Sequence, residues 1–106
     1  MTKDVIIEHM GEVMRARLPR DIDHHSAKSM REEIDRALAE LMPKRLVLDF
    51  SDVAFMDSSG VGLVIGRVEV AKRYGTAVEL TGAVGGIMRL LRICGIERIE
   101  DLYITH

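Results

Sequence analysis

The stretch FMDSSGVGLVIGR, residues 55–67, places a short polar segment between two apolar ones. The polar segment DSSG, residues 57–60, consists of residue types that cap helix N-termini, and an apolar periodic segment follows it. The apolar run LVLDF, residues 46–50, precedes it and is typical of a buried central strand with two apolar faces. A strand, a polar loop and a helix in this order predict one βα unit of an α/β sheet.

Similar patterns on both sides of this stretch predict the rest of the fold. Residues 4–10 and 13–18 favour a hairpin, and Asp23 is a candidate N-cap for an amphipathic helix that ends before Pro43. A helix from Ser58 to just before Gly75, a strand over 76–80, a helix over 84–94 and a short strand over 101–104 follow. We therefore expect a single α/β domain over residues 1–106, with helices packed on a mixed β-sheet and the order ββαβαβα(β).

Composition excludes several classes of function. A chain of 106 residues suits one domain, and its net charge of −2 gives no electrostatic reason to expect nucleic acid or an anionic membrane as partner. No apolar run approaches the ~20 residues that span a bilayer, and the N-terminus does not have the pattern of a signal peptide. The single cysteine cannot form an internal disulfide. We expect a cytoplasmic protein.

The two serines of the DSSG segment have a structural and a functional interpretation. Helix capping alone is the structural one. However, a cap requires one side chain and this segment offers three, at the end of a predicted buried strand where α/β sheets place functional loops. A helix N-terminus also stabilises negative charge, so a phosphate on Ser58 or Ser59 would be stabilised there.

Serine hydrolysis and metal binding are less well supported. The nucleophile pattern G-x-S-x-G is absent, because Met56 stands two residues before Ser58. His24 and His25 could serve as bases, but nothing in the sequence places them near Ser58. As neighbours on a helix, the two histidines point about 100° apart, and no cysteine or third histidine is nearby in the sequence, so we expect no metal site. We also expect no cofactor and no catalytic residue.

Three further expectations concern packing. The glycines at 60, 62 and 66 would let the second helix lie close on the sheet, and Cys94 would be a small buried residue. A second face of this helix carries residues at helical spacing that would usually belong to the core: Leu63, Arg67, Val70 and Tyr74. Leu63 would instead be exposed, and a candidate interface residue, if the core is already filled by Val61, Val64, Ile65, Val68 and Ala71.

Taken together, these motifs resemble those of a known family. The stretch DFSDVAFMDSSGVGLVIGR, residues 49–67, is similar to the signature of the STAS family of bacterial anti-sigma-factor antagonists. The stretch DIDHHSA, residues 21–27, resembles the start of that family's first helix, and the resemblance extends through GGIMRLLRICGIE. Within the family, the chain is most similar to members of the sporulation sigma-F pathway.

The resemblance implies a partner-switching regulator rather than an enzyme. An anti-sigma factor that is also a serine kinase would phosphorylate Ser58, and a serine phosphatase would remove the phosphate. The unphosphorylated form, a monomer when free, would bind the anti-sigma factor and release the sigma factor. The implied partner-binding residues are Asp21, Asp23, Asp57, Ser59, Gly60 and Leu63, with the first two as acidic contacts.

Two alternatives to this regulator remain open. The chain would act as a STAS subunit of a larger signalling assembly that is never phosphorylated, or as a small hydrolase that uses Ser58 as its nucleophile.

Overall fold

Seven strands and three helices make up residues 4–105, the part of the chain that the computed structural model describes. The strands are β1 (Ile6–Met10), β2 (Val13–Arg17), β3 (Asp21–Ile22), β4 (Arg45–Asp49), β5 (Phe55–Met56), β6 (Ala77–Thr81) and β7 (Leu102–Thr105). The helices are α1 (His24–Leu41), α2 (Ser58–Arg73) and α3 (Gly85–Ile93), and a 3₁₀ turn, Ile96–Arg98, follows α3.

Five of the strands form one mixed sheet in the order β1-β2-β4-β6-β7. β1 and β2 pair antiparallel, and the other neighbours in this sheet pair parallel. Gly11 turns the hairpin with a φ of +59°, a conformation that glycine adopts because it has no Cβ. The predicted α/β class, mixed sheet and order of the main elements are confirmed, whereas the sequence did not predict β3 and β5.

One face of the five-stranded sheet carries the apolar core. Alternate residues of the central strands are buried there together with apolar side chains from the helices, and removal of this area from water is the main contribution to stability. Buried residues of the strands and helices in this core include Met14, Ala16, Leu46, Leu48, Val78, Leu80, Met30, Ile34, Leu38, Val61, Val64, Val68 and Leu91.

The opposite face of the sheet carries charged side chains. Arg15 pairs with Asp49 at 3.5 Å, and Arg45 pairs with Glu79 at 3.7 Å. Val47 is only 5% exposed and lies between Arg15 and Glu79 in register. β4 is therefore buried on both faces, as predicted, but its outer face includes the carboxylate of Asp49 and is not apolar throughout.

α2 is buried along two stripes, which corrects the prediction for Leu63. Leu63 is 3% exposed and faces α1, because α1 packs along α2 and covers a second stripe besides the one that faces the sheet. Arg67 follows on the same stripe and is equally buried. Ile65, which we assigned to the core, is 40% exposed instead.

Of two other packing expectations, the one for the glycines was wrong in part and the one for Cys94 was wrong. A Cβ at Gly60 would collide with the side chain of Met56, whereas a Cβ at Gly62 or Gly66 would enter open space, so close packing explains only the first glycine. Cys94 is exposed. It follows the last residue of α3 and precedes Gly95, which adopts a φ of +84° and turns the chain, so Cys94 lies outside the buried stripe of that helix.

Candidate functional site

The two-residue strands β3 and β5 join the loops that lead into α1 and α2. They pair in parallel, with Ile22 opposite Met56. The N–H groups of Ala54 and Phe55 both donate to the carbonyl oxygen of Arg20, at 2.7 and 3.1 Å. As a result, α1 and α2 begin next to each other.

α1 begins with a capping box. Asp23 Oδ1 accepts a hydrogen bond from the Ser26 N–H at 2.8 Å, and the Asp23 N–H donates to Ser26 Oγ at 3.1 Å. These reciprocal bonds satisfy N–H groups that have no partner within the helix. The hydrogen bond from the Ser26 N–H is the main cause that lowers the pKa of Asp23. Asp23 is thus the N-cap that the sequence predicted, and Asp21, two residues earlier, is exposed.

α2 begins at a second aspartate cap. Asp57 Oδ1 accepts a hydrogen bond from the Ser59 N–H at 2.8 Å, and this bond, followed by one from the Ser59 hydroxyl, lowers the pKa of Asp57. The N–H of His24, the first residue of α1, also stabilises the ionised form, while the charge of Asp23 opposes it. The two capping carboxylates are therefore close enough to interact.

Ser58 is the first residue of α2 and is exposed. Ser59 is half-buried, and its backbone N–H donates to the capping carboxylate of Asp57. Within residues 4–105, no side chain forms a hydrogen bond with the Ser58 hydroxyl. The first turn of a helix presents unpaired N–H groups and a partial positive charge, so an anion attached to Ser58 lies in a favourable field.

Most of the predicted site residues lie together at the starts of the two helices. Asp21, Asp23 and Asp57 provide carboxylates there, next to the two serines. Gly60 and Leu63 are buried beneath this surface, although Leu63 also lines a groove between the helices. Contact between any of these residues and a partner stays a prediction.

The groove, which we call the α1–α2 groove, has a volume of about 590 Å³ and starts beside Ser59. The rings of His24 and His25 meet edge to face in its lining, with their centroids 5.8 Å apart. The histidines thus share a surface with Ser59, but among residues 4–105 no side chain is hydrogen-bonded to the Ser58 hydroxyl, so the geometry adds no support for the hydrolase alternative. The groove is lined by His24, His25, Ala27, Lys28, Arg31, Ser59, Gly62 and Leu63.

The described residues contain neither a metal-binding cluster nor a helix that could span a membrane. Between residues 4 and 105, no three His, Cys, Asp or Glu side chains are grouped so that they could hold a metal ion. In the same part of the chain, no helix combines the length and apolarity that a membrane span requires.

Next to this site lies a buried ion pair that the sequence did not predict. The Nε atom of Arg67 lies 2.9 Å from Oδ1 of Asp35 on α1, and their side chains are 4% and 32% exposed. The geometry of this contact does not meet the criteria for a hydrogen bond, and Nη1 of Arg67 is also buried without a hydrogen-bond partner among the described residues. Burial raises the pKa of Asp35 and lowers the pKa of Arg67, and the attraction between the two opposes both shifts. The four-residue spacing of Leu63 and Arg67 indicates that they share one face of α2, and this was the signal in the sequence for the burial of Arg67.

Comparison with known proteins identifies the family. Residues 4–106 match the sequence model described as STAS domain, and the chain therefore belongs to the STAS domain family. It is 29% identical over 103 residues to the anti-sigma F factor antagonist of Paenibacillus polymyxa, covering 97% of this chain and 88% of the relative. It is 26% identical over 102 residues to the anti-sigma-B factor antagonist of Bacillus subtilis, covering 96% of this chain and 92% of the relative.

Solved structures share the fold. The anti-sigma factor antagonist SpoIIAA in its unphosphorylated form superposes with a TM-score of 0.74 at 23% identity, covering 96% of this chain and 87% of that one. The Bacillus cell fate determinant SpoIIAA in its phosphorylated form superposes with a TM-score of 0.73 at 24% identity, covering 96% of this chain and 91% of that one. At this level of identity, the likeness establishes the architecture alone.

Proposed function

We propose that this chain is an anti-sigma-factor antagonist controlled by phosphorylation of Ser58. The unphosphorylated form binds an anti-sigma factor that is also a serine kinase, and so releases the sigma factor. Phosphorylation ends the binding, and a serine phosphatase restores it. These partners act on transcription, so the proposal places the chain in the cytoplasm, as a monomer when free.

The observation that carries the proposal is the position of Ser58. Ser58 is exposed at the first residue of α2, while the neighbouring Ser59 is half-buried and its N–H donates to the capping carboxylate of Asp57. A kinase can therefore reach the first serine without breaking the helix cap. The names of the two relatives support the biological role, and the solved phosphorylated form of SpoIIAA supports modification of this kind of domain.

The mechanism depends on charge at the surface where the helices begin. Unmodified Ser58 is small and neutral, so a partner can close over it and contact Asp21 and Asp23. Phosphorylation adds a charge of about −1.5 to −2 and three acceptor oxygens. Burying that charge without a matched partner is unfavourable, and a loss of about 3 kcal/mol lowers affinity more than a hundredfold.

Phosphate mapping with matched serine variants tests the assignment. The chain is incubated with ATP and the serine-kinase anti-sigma factor of the organism that encodes it, and the products are measured by intact mass and peptide mapping. We expect phosphate on Ser58 in the wild type and in Ser59→Ala, and none in Ser58→Ala. Phosphorylation of Ser58→Ala at the wild-type rate contradicts the assignment. A wild-type chain that binds the kinase stably but takes up no phosphate supports the non-switching alternative.

A further inference from the structure

The α1–α2 groove gathers positive charge at one side of the proposed interface. Lys28 and Arg31 are exposed along α1, and His24 and His25 stand near the start of the helix. Of the described residues that line the groove, none is acidic. The carboxylates of this region are instead at the helix caps, so an acidic and a basic surface lie side by side.

The floor of the groove is apolar and is kept open. Leu63 is 3% exposed and forms part of the floor with Ala27. Gly62, on the same wall, would place a Cβ in open space, so nothing in the packing requires a glycine there. Glycine is unfavourable in a helix interior compared with alanine, and at this position its effect is to leave room in the groove.

Contacts with the acidic surface alone would offset part of the effect of phosphorylation. A partner that contacts only Asp21, Asp23 and Asp57 presents basic residues, and basic residues attract a phosphate on Ser58. Burial of the phosphate opposes binding, and a negative group of the partner near that phosphate would add like-charge repulsion. The basic groove that begins at Ser59, one residue further along α2, is the surface that attracts such a group.

We propose that the α1–α2 groove binds an acidic segment of the anti-sigma partner, a step that rests on the proposed function. Lys28 and Arg31 attract the carboxylates of the segment, and one of its apolar side chains lies on Leu63. A phosphate on Ser58 then repels the segment by like charge and competes with it for the cations of the groove. The partner surface is accordingly bipolar, with basic residues for the helix caps and acidic ones for the groove.

Two variants of the full chain test the two properties of the groove. Lys28→Glu/Arg31→Glu reverses its charge, and Gly62→Trp fills it. Gly66→Trp is the matched control for the second, because Gly66 lies on the same helix with open space at its Cβ and does not line the groove. Arg89→Glu/Arg92→Glu, on the exposed surface of α3, is the charge control. Melting curves verify that each variant folds.

Calorimetric titration with the serine-kinase anti-sigma factor of the same organism is the readout. We expect about tenfold or greater weakening for Lys28→Glu/Arg31→Glu at low salt, a smaller salt dependence, and a comparable loss for Gly62→Trp, while both controls bind as the wild type. Wild-type affinity in both groove variants overturns this inference and leaves the proposed function standing. Loss in the charge variant alone shows that the groove is not occupied, and also overturns it. A wild-type chain that does not bind refutes the proposed function and this inference with it.

Discussion

The two side chains of the Arg67–Asp35 ion pair are buried to different extents, and we therefore expect their replacement to destabilise the protein by different amounts. Arg67 is almost completely buried, whereas a third of the Asp35 side chain reaches water. If Asp35 is replaced by Asn, a guanidinium is left in the interior without its carboxylate. If Arg67 is replaced by Met, the remaining carboxylate can regain water, and the apolar stem of the side chain is largely preserved.

The magnitudes follow from the cost of an unpaired buried charge. Removal of one partner of a buried pair typically costs 3–5 kcal/mol, so we expect Asp35→Asn to lower the free energy of unfolding by about 3 kcal/mol. Arg67→Met removes the buried charge itself, and we expect a loss of about 1 kcal/mol. The double variant, Asp35→Leu/Arg67→Met, leaves no charge at the site and should be more stable than Asp35→Asn by about 1–2 kcal/mol.

Urea unfolding followed by circular dichroism measures these differences, with equal slopes as the condition for comparing them. The control is Lys72→Met, which removes the exposed pair between Lys72 and Asp101 and should change stability by less than about 1 kcal/mol. Equal losses for Asp35→Asn and Arg67→Met, or a larger loss for Arg67→Met, would refute the argument from unequal burial.

Three other predictions concern the loops and the caps. Gly82→Ala should destabilise the protein by about 2–4 kcal/mol, because φ is +80° and the new Cβ would lie 2.8 Å from the backbone nitrogen of Ser51. Gly85→Ala is the control: φ is +55° but the space around the Cβ is free, so it should cost only about 1 kcal/mol. Thermal unfolding measures both. The pKa of Asp57 is lowered in the folded protein, so its contribution to stability is present above about pH 4 and is lost as the pH falls through the folded-state pKa. Asp57→Asn keeps a cap but does not titrate, so the loss of stability with acid should be smaller in this variant. Asp23→Asn should melt like the wild type at neutral pH but bind the anti-sigma factor more weakly, and unchanged binding would leave Asp23 with a capping role only.

Much of the fold could be predicted from the sequence because its signals are local. Asp23 caps α1 as predicted, and Asp57, one of three candidate cap residues in the DSSG segment, caps α2. The alternation of apolar and charged residues over 13–18 predicted the half-buried second strand, and Gly95 marked the end of the third helix. The placement of Ser58 at the start of α2 follows from the same local signal.

The features that sequence reasoning missed depend on contacts between distant segments. β3 and β5 have two residues each, too short for a periodic pattern, and they exist because the chain before α1 pairs with the chain before α2. Leu63 and Arg67 are buried only because α1 packs against α2, and a single helix does not show which of its faces a second helix covers. The α1–α2 groove could not be predicted from the sequence for the same reason, since its lining residues come from both helices.

Affinity of the anti-sigma factor for the two forms of the chain tests the central claim most directly. The unmodified chain and the chain phosphorylated on Ser58 are titrated calorimetrically with the same preparation of the serine-kinase anti-sigma factor. The account predicts tight binding of the unmodified chain and at least a hundredfold weaker binding of the phosphorylated one, which corresponds to about 3 kcal/mol. Equal affinities for the two forms would contradict it.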